Sequence, residues 1–306
     1  RAEFGDWVID RFQRDYLAGR TPNPCVLCNT HIKWAALLKR ADALGCDFIA
    51  TGHYAQVRQD EPTGRHVISR GLDRNKDQSY ALWGIAQEHL ARSIFPLGQY
   101  TKPAIRQIAS EFGLDHVAAK PDSYEICFIP DNDYRGFLKR RVNGLEARVN
   151  GGPFVLEATG EVIGRHDGFP FYTVGQRRGL DLALGEPVYV TRIDAETNTV
   201  YVGPKDALLG RTLTARQLNF VKVPDLYAEQ CAVGKIRYKD AGAPCLVRQT
   251  DTDALEVVFE EPRAAITPGQ SLVLYDGDDV LAGGWIASMG KASMPTTEDF
   301  IALPTL

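Results

Sequence analysis

The sequence predicts an α/β domain followed by an all-β region, with a boundary near residue 130. Helical and strand patterns are mixed in the first 130 residues, whereas the remainder consists mainly of short strands separated by Gly and Asp turns. The length of 306 residues is about twice that of an average domain, so we expect two or three domains. Apolar residues make up 44% and charged residues 24%, which is typical of globular proteins and excludes a disordered or collagen-like chain.

The first predicted element is an amphipathic helix followed by a rigid loop. Apolar residues recur at steps of three and four from Phe4 to Tyr16, so one face of a helix can pack against a core. The sequence Thr-Pro-Asn-Pro at 21–24 cannot continue this helix, because each proline lacks a donor and pushes the residue before it towards extended geometry. We therefore expect a rigid loop that presents Cys25 and Cys28.

A second helix and a short strand follow this loop. The periodicity predicts a helix over 32–44 and a buried strand over 47–51. Gly52 and His53 come directly after the strand, and open α/β sheets bind their ligands beyond the carboxyl ends of the strands. A ligand site and a plain turn are equally good interpretations of these two residues.

Helices then give way to strands. The patterns predict two further helices, over 79–94 and 101–112, and we interpret both as structural. A β-hairpin is predicted over 187–202, around the turn Asp-Ala-Glu-Thr-Asn. Apolar, β-branched runs separated by Gly-Asp turns occur in 211–306 and favour a small closed barrel.

Charge, cysteine content and hydropathy restrict the class of protein. With 35 Lys and Arg against 39 Asp and Glu, the net charge of −4 neither indicates nor excludes a nucleic-acid partner, which would need a local basic patch. No apolar run approaches the roughly 18 residues of a membrane span and no signal peptide is recognisable, so we predict a cytoplasmic protein without membrane contact. Six cysteines are too few for a disulfide scaffold, which agrees with a reducing compartment. The candidate basic patch comprises Arg135, Lys139, Arg140, Arg141 and Arg148, with Arg177 and Arg178 as a second group.

The pair Cys25 and Cys28 indicates chemistry. Two residues between cysteines let both sulfurs face one centre, as in zinc sites, iron–sulfur clusters and dithiol redox centres. A structural zinc site is disfavoured, because it needs four ligands and no second pair of this spacing exists. The six histidines also lack metal-ligand spacing, so we assign no metal site to them. Cys28 is predicted to lie at the start of the helix 32–44, where free amide donors would stabilise a nucleophilic thiolate.

Five motifs occur in order along the chain. They are PNPCVLCNTHIK at 22–33, ATGHY at 50–54, KDQSY at 76–80, DSYEICFI at 122–129 and YTVGQRRGL at 172–180. In this combination the sequence resembles the tRNA-specific 2-thiouridylases, from about residue 3 to Gln270. The resemblance implies a Rossmann-like adenine-nucleotide alpha hydrolase (PP-loop) domain over 1–130, a central small β-rich tRNA-binding domain over 131–207 and a C-terminal β-barrel domain over 208–306.

The resemblance also implies an activity and its reactants. Members of this family replace the 2-oxygen of the wobble uridine of tRNA with sulfur in an ATP-dependent reaction, so ATP with Mg is the implied cosubstrate. The implied partners are tRNAs of the Lys, Glu and Gln types and a persulfide-carrying sulfur-relay protein or cysteine desulfurase. By match to the family motifs, Cys127 would carry the persulfide, and Cys28 would be the partner nucleophile that ends in a transient disulfide with Cys127.

Further site residues follow from the same match. Gly52 matches a glycine that contacts ATP, which suits a residue without a side chain. The positions that match tRNA contacts are Asn23, Pro24, Cys25, His53, Lys76, Asp77, Gln78, Arg237, Tyr238 and Gln270. The polar side chains among them could also be ordinary exposed groups.

Two features depart from the family pattern. The glycine- and serine-rich phosphate-binding loop with which the family begins is absent from this sequence, so we expect the natural protein to be longer and this chain alone to bind ATP poorly. Cys25 replaces an acidic residue found in one branch of the family, so the acid–base group of that branch is missing here. Cys25, Cys28 and Cys127 could instead hold an iron–sulfur cluster with one open iron.

Several functions therefore stay open on the sequence alone. The first is a thiouridylase that works through a persulfide on Cys127, and the second is an iron–sulfur-cluster-dependent thiolase. The third is a tRNA-binding fragment without catalysis. A thiol–disulfide oxidoreductase built on Cys25 and Cys28 is less consistent with the sequence, because the thioredoxin-like context is missing.

Overall fold

A computed structural model of the chain describes residues 2–120 and 126–290. Its α-helices are α1 (Ala2–Phe4), α2 (Asp10–Leu17), α3 (Pro24–Leu27), α4 (Ala35–Ala43), α5 (Gln87–Leu90), α6 (Lys102–Glu111), α7 (Asp115–Ala118), α8 (Tyr134–Arg141) and α9 (Leu145–Val149). Two π-helical segments, Gly5–Ile9 and Cys28–Trp34, join α1 to α2 and α3 to α4, and three 3-10 turns cover Ser79–Ala81, Phe169–Phe171 and Lys205–Leu208. Within the described ranges, no helix is long and apolar enough to cross a membrane.

The strands form three sheets in the described part of the chain. They are β1 (Ile49–Ala50), β2 (Ala55–Gln59), β3 (His66–Arg70), β4 (Ser93–Ile94), β5 (Gly152–Leu156), β6 (Val162–His166), β7 (Tyr189–Asp194), β8 (Thr199–Gly203), β9 (Leu209–Phe220), β10 (Gln230–Lys235), β11 (Ala243–Asp251), β12 (Ala254–Ala264), β13 (Ser271–Asp276) and β14 (Asp279–Gly290). β1 and β4 pair in parallel, a second sheet has the order β6-β5-β8-β7, and the third has the order β13-β10-β11-β12-β9-β14-β3-β2. Pairing of β13 with β14 closes six strands into a barrel, so the predicted α/β plus all-β fold with a C-terminal barrel is confirmed.

The predicted first helix is present as a continuous run from α1 to α2. Val8, Phe12 and Tyr16 are buried along it, as the apolar spacing requires. The chain leaves the helix at Gly19, whose φ of +69° suits a residue without a Cβ atom. The second helix begins earlier than predicted, because Pro24 occupies the first turn of α3, where its missing N–H is not needed.

The helix predicted over 79–94 is wrong. The chain forms only the 3-10 turn Ser79–Ala81 and the short α5 before it enters β4. The side chain of Asn219 in β9 gives the reason, because its Nδ2 donates to the carbonyl oxygens of Trp83 (2.6 Å) and Ile85 (3.0 Å). A continuous helix would use these oxygens for its own backbone bonds.

Other predicted elements are present. The helix predicted over 101–112 is α6, and the Oγ1 of Thr101 caps it by accepting from the N–H of Ala104 at 3.4 Å. The hairpin predicted over 187–202 consists of β7 and β8, and Asn198 in its turn has a φ of +50°. The predicted strand over 47–51 is shorter than expected and is limited to β1.

The hairpin β2–β3 belongs to the barrel sheet although it lies in the N-terminal third of the chain. Ser69 of β3 pairs with Asp279 of β14, so the hairpin extends the sheet beyond the closed barrel. A single hydrophobic core lies between these strands and the N-terminal helices. This core includes Trp34, Ile68, Tyr80, Trp83, Val273 and Tyr275. The N-terminal region and the barrel are therefore packed together as one unit.

Asp279 joins the hairpin to the barrel through polar contacts in a buried position. Its Oδ1 accepts from the hydroxyl of Ser69 at 2.6 Å. Its Oδ2 accepts from Nη2 of Arg58 at 2.6 Å and lies 3.1 Å from Nζ of Lys222. Asp279 is only 7% exposed, so water cannot take the place of this carboxylate if it is removed.

We predict that Asp279→Ala lowers the free energy of unfolding by about 2–4 kcal/mol, because the buried Ser69 hydroxyl loses its acceptor and Arg58 and Lys222 each lose one carboxylate partner. Asp278→Ala is the matched control, since Asp278 pairs with Arg74 at the surface and both side chains are more than half exposed. The control should lose less than about 1 kcal/mol. Urea unfolding at equilibrium measures both values, and equal losses would contradict the role of Asp279.

Candidate active site

The loop after α2 leads to two cysteines and lies between the other two regions of the chain. We call residues 19–24 the cysteine loop. A Cβ atom placed on Gly19 would lie 3.1 Å from Cγ2 of Ile193 in β7, so the loop packs closely against the central region. On the barrel side, the N–H of Thr21 donates to the carbonyl oxygen of Pro268 at 2.9 Å. Contacts with both regions therefore set the position of the cysteine loop.

Cys25 and Cys28 follow this loop in the first turns of a helix. Cys25 lies in the first turn of α3 and is exposed, whereas Cys28 begins the π-helical segment and is partly exposed. The N–H of Cys28 bonds to the carbonyl oxygens of Pro24 and Cys25, so the prediction of free amide donors at Cys28 is wrong. The reason is that the helix begins at Pro24, which gives the first-turn position to Cys25.

Cys127 lies exposed in a tight turn. The N–H of Ile129 donates to the carbonyl oxygen of Ile126 at 2.8 Å across this turn. Phe128 anchors the turn, because its ring makes an edge contact with the ring of the buried Phe12 at a centroid distance of 5.3 Å. Packing against α2 thus fixes Cys127 beside the N-terminal helices. The first four residues of this motif, 122–125, lie outside the described residues.

Three thiols lie within electrostatic reach of one another, although Cys127 is 99 positions from Cys28 along the chain. Desolvation raises the pKa of Cys25 and of Cys28 above the ordinary thiol value. Negative charge on Cys127 raises both pKa values as well, whereas the ammonium group of Lys33 lowers both. All six cysteines are free within the described ranges, so no disulfide links these thiols.

His53 contacts the Lys33 side chain near the thiols. Nζ of Lys33 lies 3.3 Å from Nε2 of His53, and Nδ1 of His53 lies 2.9 Å from Oγ1 of Thr51. His53 is 7% exposed, and burial together with the Lys33 charge lowers its pKa to about 4. The ring is therefore neutral at neutral pH, so Nε2 accepts from Lys33 and Nδ1–H donates to Thr51.

Neither Lys33 nor Thr51 was assigned a role from the sequence. Lys33 is part of the cysteine motif and lies five residues after Cys28. In an ordinary α-helix, side chains five residues apart do not lie next to each other. In the π-helical segment, however, residues five apart are neighbours along the helix. The spacing alone could therefore have indicated Lys33 only if the π-helical geometry had been known.

Gly52 follows β1 at the carboxyl edge of the parallel pair β1–β4 and is exposed. A Cβ atom placed there would meet its nearest heavy atom, Cδ1 of Leu97, only at 3.7 Å. The backbone is thus open to a ligand at the edge where α/β sheets bind them. This observation fits the nucleotide contact that the sequence predicts for Gly52.

Lys76, Asp77 and Gln78 lie in the turn before the first 3-10 helix. Asp77 is 9% exposed, and its Oδ1 accepts from the N–H of Gly71 at 3.1 Å. Oε1 of Gln78 accepts from the N–H of Tyr54 at 3.0 Å. Asp77 therefore holds the residue that follows β3 and Gln78 holds the segment that follows β1, while Lys76 is partly exposed.

Asn23, Pro24 and Gln270 contact other parts of the protein. Pro24 is buried, and the side chain of Asn23 lies near the hydroxyl of the buried Tyr80. Nε2 of Gln270 donates to two carbonyl oxygens of the cysteine loop. These three predicted tRNA positions are thus engaged within the chain.

Arg237 and Tyr238 are exposed beside the cysteine loop, on the barrel. Nη1 of Arg237 donates to the carbonyl oxygen of Ala264 at 2.9 Å, and the ring of Tyr238 approaches that of Tyr80 to 6.1 Å. A cavity of about 430 Å³ opens here between all three regions of the chain. Its lining includes Thr21, Thr173, Gly175, Lys205, Arg237 and Gln270.

The predicted basic patch is largely neutralised by acidic neighbours. Its ion pairs are Lys139 with Glu146 (2.7 Å), Arg141 with Asp10 (3.0 Å) and Arg140 with Asp131 (3.5 Å). Arg148, Arg177 and Arg178 are exposed and form no ion pair with another described residue. Arg135, which is partly exposed, likewise forms no ion pair with a described residue, so four arginines of the two predicted groups carry charge that no acidic neighbour offsets.

Residues 2–120 and 126–290 contain no group of three or more His, Cys, Asp or Glu side chains that could hold a metal ion. Cys25, Cys28 and Cys127 influence one another electrostatically, but they do not converge as a ligand set would. The arrangement suits chemistry in which one thiol reacts with another more than chemistry at a shared metal.

Three protein-family models match the three regions of the chain in turn. The tRNA methyl transferase HUP domain matches residues 1–131, and the tRNA methyl transferase PRC-barrel domain matches residues 135–204. The aminomethyltransferase beta-barrel domain matches residues 210–286.

Curated relatives match almost the whole chain. The chain is 68% identical over 298 residues to the tRNA-specific 2-thiouridylase MnmA of Salinibacter ruber, which covers 97% of this chain and 78% of that protein. It is 58% identical to the protein of the same name from Amoebophilus asiaticus, with coverages of 95% and 77%. The corresponding protein of Cytophaga hutchinsonii is 54% identical, with coverages of 95% and 78%. Matches of this extent and identity show that the chain belongs to the family of tRNA-specific 2-thiouridylases.

Proposed function

We propose that the protein is a tRNA-uridine 2-sulfurtransferase, which replaces the 2-oxygen of the wobble uridine with sulfur at the expense of ATP. The observation that carries this proposal is the membership of the chain in the family of tRNA-specific 2-thiouridylases, and the electrostatic influence of Cys127 on Cys28 supports it. A pair of thiols is what a sulfur transfer needs, and the relatives of the chain are named tRNA-specific 2-thiouridylases.

In the proposed reaction one thiol carries the sulfur and the other releases it. ATP with Mg²⁺, contacting Gly52, supplies the adenylyl group that makes the 2-oxygen of uridine a leaving group. Cys127 carries a persulfide received from a sulfur-relay protein or a cysteine desulfurase. The terminal sulfur attacks C2, the oxygen leaves with AMP, and the uridine is joined to Cys127 through a disulfide. Cys28 thiolate then attacks Sγ of Cys127, which releases 2-thiouridine and leaves a Cys28–Cys127 disulfide for a thiol reductant to restore.

Lys33 supports the thiolate of Cys28 in this proposal. Burial raises the pKa of Cys28 and so reduces the thiolate fraction at neutral pH, and Lys33 acts against this. The neutral ring of His53 accepts a hydrogen bond from Lys33 and adds no competing negative charge. His53 would therefore act through Lys33, which agrees with its burial better than a direct tRNA contact does.

The tRNA would bind through the exposed members of the predicted set. Cys25, Arg237 and Tyr238 are accessible around the cysteine loop, and Arg177 and Arg178 add unpaired positive charge. Arginines attract phosphates, and a tyrosine ring can stack on an unpaired base. We propose that 1–130 holds ATP and the thiols, that 131–207 binds tRNA, and that 208–306 completes the site. We also propose that the protein recognises tRNAs of the Lys, Glu and Gln types and that it is located in the cytoplasm.

We predict that Cys28→Ser and Cys127→Ser each abolish wobble 2-thiouridine, because a serine oxygen can carry neither a persulfide nor a disulfide. The loss should be at least about a thousandfold, as for essential nucleophiles in other enzymes. The measurement is mass spectrometry of tRNA nucleosides from cells that lack their own thiouridylase and carry the full gene to which this chain belongs. Cys46→Ser, which changes another exposed cysteine, is the control and should keep the modification.

Two results of this experiment would change the proposal. If 2-thiouridine persists in either active-site variant, the persulfide route through these cysteines is wrong. If the unsubstituted gene restores no 2-thiouridine while the purified protein still binds tRNA, the non-catalytic tRNA-binding alternative is supported.

An iron–sulfur-dependent thiolase on Cys25, Cys28 and Cys127 is the second candidate, because these thiols are close enough to influence one another. The lack of a metal-ligand group within the described ranges favours the persulfide route. We therefore predict that anaerobically purified, active protein contains neither iron nor acid-labile sulfide. Stoichiometric iron that is lost together with activity on chelation would favour the cluster instead.

We predict that Lys33→Met shifts the alkylation of Cys28 to higher pH. Iodoacetamide reacts with the thiolate, which forms as the pH rises through the pKa, and loss of the ammonium raises that pKa further. At about pH 8 the rate should fall roughly 3- to 10-fold, as expected for one nearby charge at a partly exposed site. Lys33→Arg keeps the charge and should keep the profile. Peptide mass spectrometry measures the alkylation of Cys28 at each pH. If the pH profile of Lys33→Met equals that of the unsubstituted protein, this role of Lys33 is excluded.

A further inference from the structure

Gln270 contacts the cysteine loop from the barrel. We propose that Gln270 is a positioning residue, which holds the cysteine loop and thereby Cys25 and Cys28 in place before any tRNA is bound. The inference rests on the proposed function for the chemical role of the two cysteines. It differs from the role implied by family resemblance, in which Gln270 contacts tRNA.

The first support is the hydrogen bonding of the Gln270 amide. Nε2 lies 3.1 Å from the carbonyl oxygen of Thr21 and 3.1 Å from that of Pro22. Both neighbours are acceptors, so the amide nitrogen must face them. The NH2 group of Gln270 is therefore engaged with the cysteine loop in the RNA-free protein.

The second support is that Gln270 itself is rigidly placed. Its N–H donates to the carbonyl oxygen of Thr267 at 3.2 Å, and its carbonyl oxygen accepts from the N–H of Ile286 in β14 at 2.8 Å. The side chain thus projects from a backbone that is bonded to the barrel sheet. A group fixed in this way can set the position of a loop that itself forms neither helix nor strand.

The third support is the close approach of the two backbones beside Gln270. Gly269 has a φ of +90°, and a Cβ atom placed on it would lie 2.8 Å from the carbonyl oxygen of Thr21. Such a distance is not tolerated between real atoms, so this contact needs glycine. With the bond from the N–H of Thr21 to Pro268, three consecutive barrel residues, 268–270, touch the same part of the loop.

The far end of the cysteine loop also lies close to the barrel. The side chain of Asn23 is near the hydroxyl of Tyr80, which donates to the carbonyl oxygen of Ser271 in β13 at 2.8 Å. Tyr80 is 1% exposed, so this link is shielded from water. The helix with Cys25 and Cys28 starts directly after Asn23. Displacement of the loop from the barrel would therefore move both cysteines.

The test uses the purified protein without RNA. Gln270→Ala should make amide exchange over 20–28 and iodoacetamide alkylation of Cys28 about 2- to 10-fold faster, as expected for the loss of a net hydrogen bond that restrains the loop. Gln270→Glu has the same size but sets a carboxylate against two carbonyl oxygens, and it should increase both rates further. Gln59→Ala is the matched control, because Gln59 is an exposed glutamine of β2 that donates only to Gly64 at 3.1 Å. It should leave both rates unchanged.

Gly269→Ala tests the same contact without changing Gln270. It should produce the same faster exchange and alkylation, because its Cβ pushes Thr21 away from the barrel. Thermal melts identify variants that are unfolded as a whole, and such variants would also expose Cys245, which is buried in the folded barrel. If one variant fails to fold, the other two still test the contact.

Steady-state kinetics separate positioning from RNA contact. A positioning residue lowers kcat while the KM for tRNA changes little, whereas a direct contact mainly raises the KM. If Gln270→Ala weakens tRNA binding and leaves exchange and alkylation of the RNA-free protein at their original rates, the inference is overturned. The RNA-free measurements remain valid even if the protein proves not to thiolate tRNA, so failure of the proposed function would be seen separately.

Discussion

Internal hydrogen bonds do not fix the conformation of the cysteine loop, so the candidate active site depends on the contacts that the rest of the chain makes with this loop. Residues 19–23 form neither helix nor strand, and Pro22 supplies no backbone donor with which to form one. Its start is fixed by Arg20, whose N–H donates to the carbonyl oxygen of Asp15 at 2.8 Å and whose side chain pairs with the Asp15 carboxylate at 2.7 Å. The central region and the barrel supply the remaining contacts, so a site carried by the N-terminal region is shaped by all three regions.

The thiols themselves reflect a balance between burial and charge. Desolvation raises the pKa of Cys28, so burial keeps more of this thiol in its protonated form. Lys33 lies on the exposed side of the same helix and partly reverses this effect. Because His53 is neutral, the ammonium group keeps its full charge towards the sulfurs. The arrangement keeps Cys28 a weak acid with a cation close by, which suits the role that we propose for its thiolate.

The features that the sequence predicts correctly are those that residues close together in the sequence determine. The spacing of Phe12 and Tyr16, the Pro-Asn-Pro sequence and the turn at Asn198 each determine their structure within a few residues. The errors arose where distant residues decide. Asn219 binds the carbonyl oxygens that a helix over 79–94 would need, and no pattern inside that segment shows it.

The same limit applies to the site. The motifs indicate Cys28 and Cys127, but the packing of Phe128 on Phe12, which fixes the second thiol, appears only in three dimensions. A glutamine such as Gln270 can bind RNA or hold a loop with the same amide group. Its partners are 248 and 249 positions away in sequence, so residue type alone could not decide between these roles.

The pairing of β3 with β14 has a consequence for how the protein is made. Ser69 and Asp279 are 210 positions apart, so at about 5–20 residues per second the ribosome needs roughly 10 to 40 s between them. During that time one edge of the hairpin has no partner strand, and the buried faces of Val67 and Ile68 lack the barrel side of their core. The core shared by the N-terminal region and the barrel therefore needs β14 to be synthesised before it can be completed. A nascent chain that ends before Pro268 also lacks the barrel contacts that hold the cysteine loop, so it cannot hold the candidate active site in its final position.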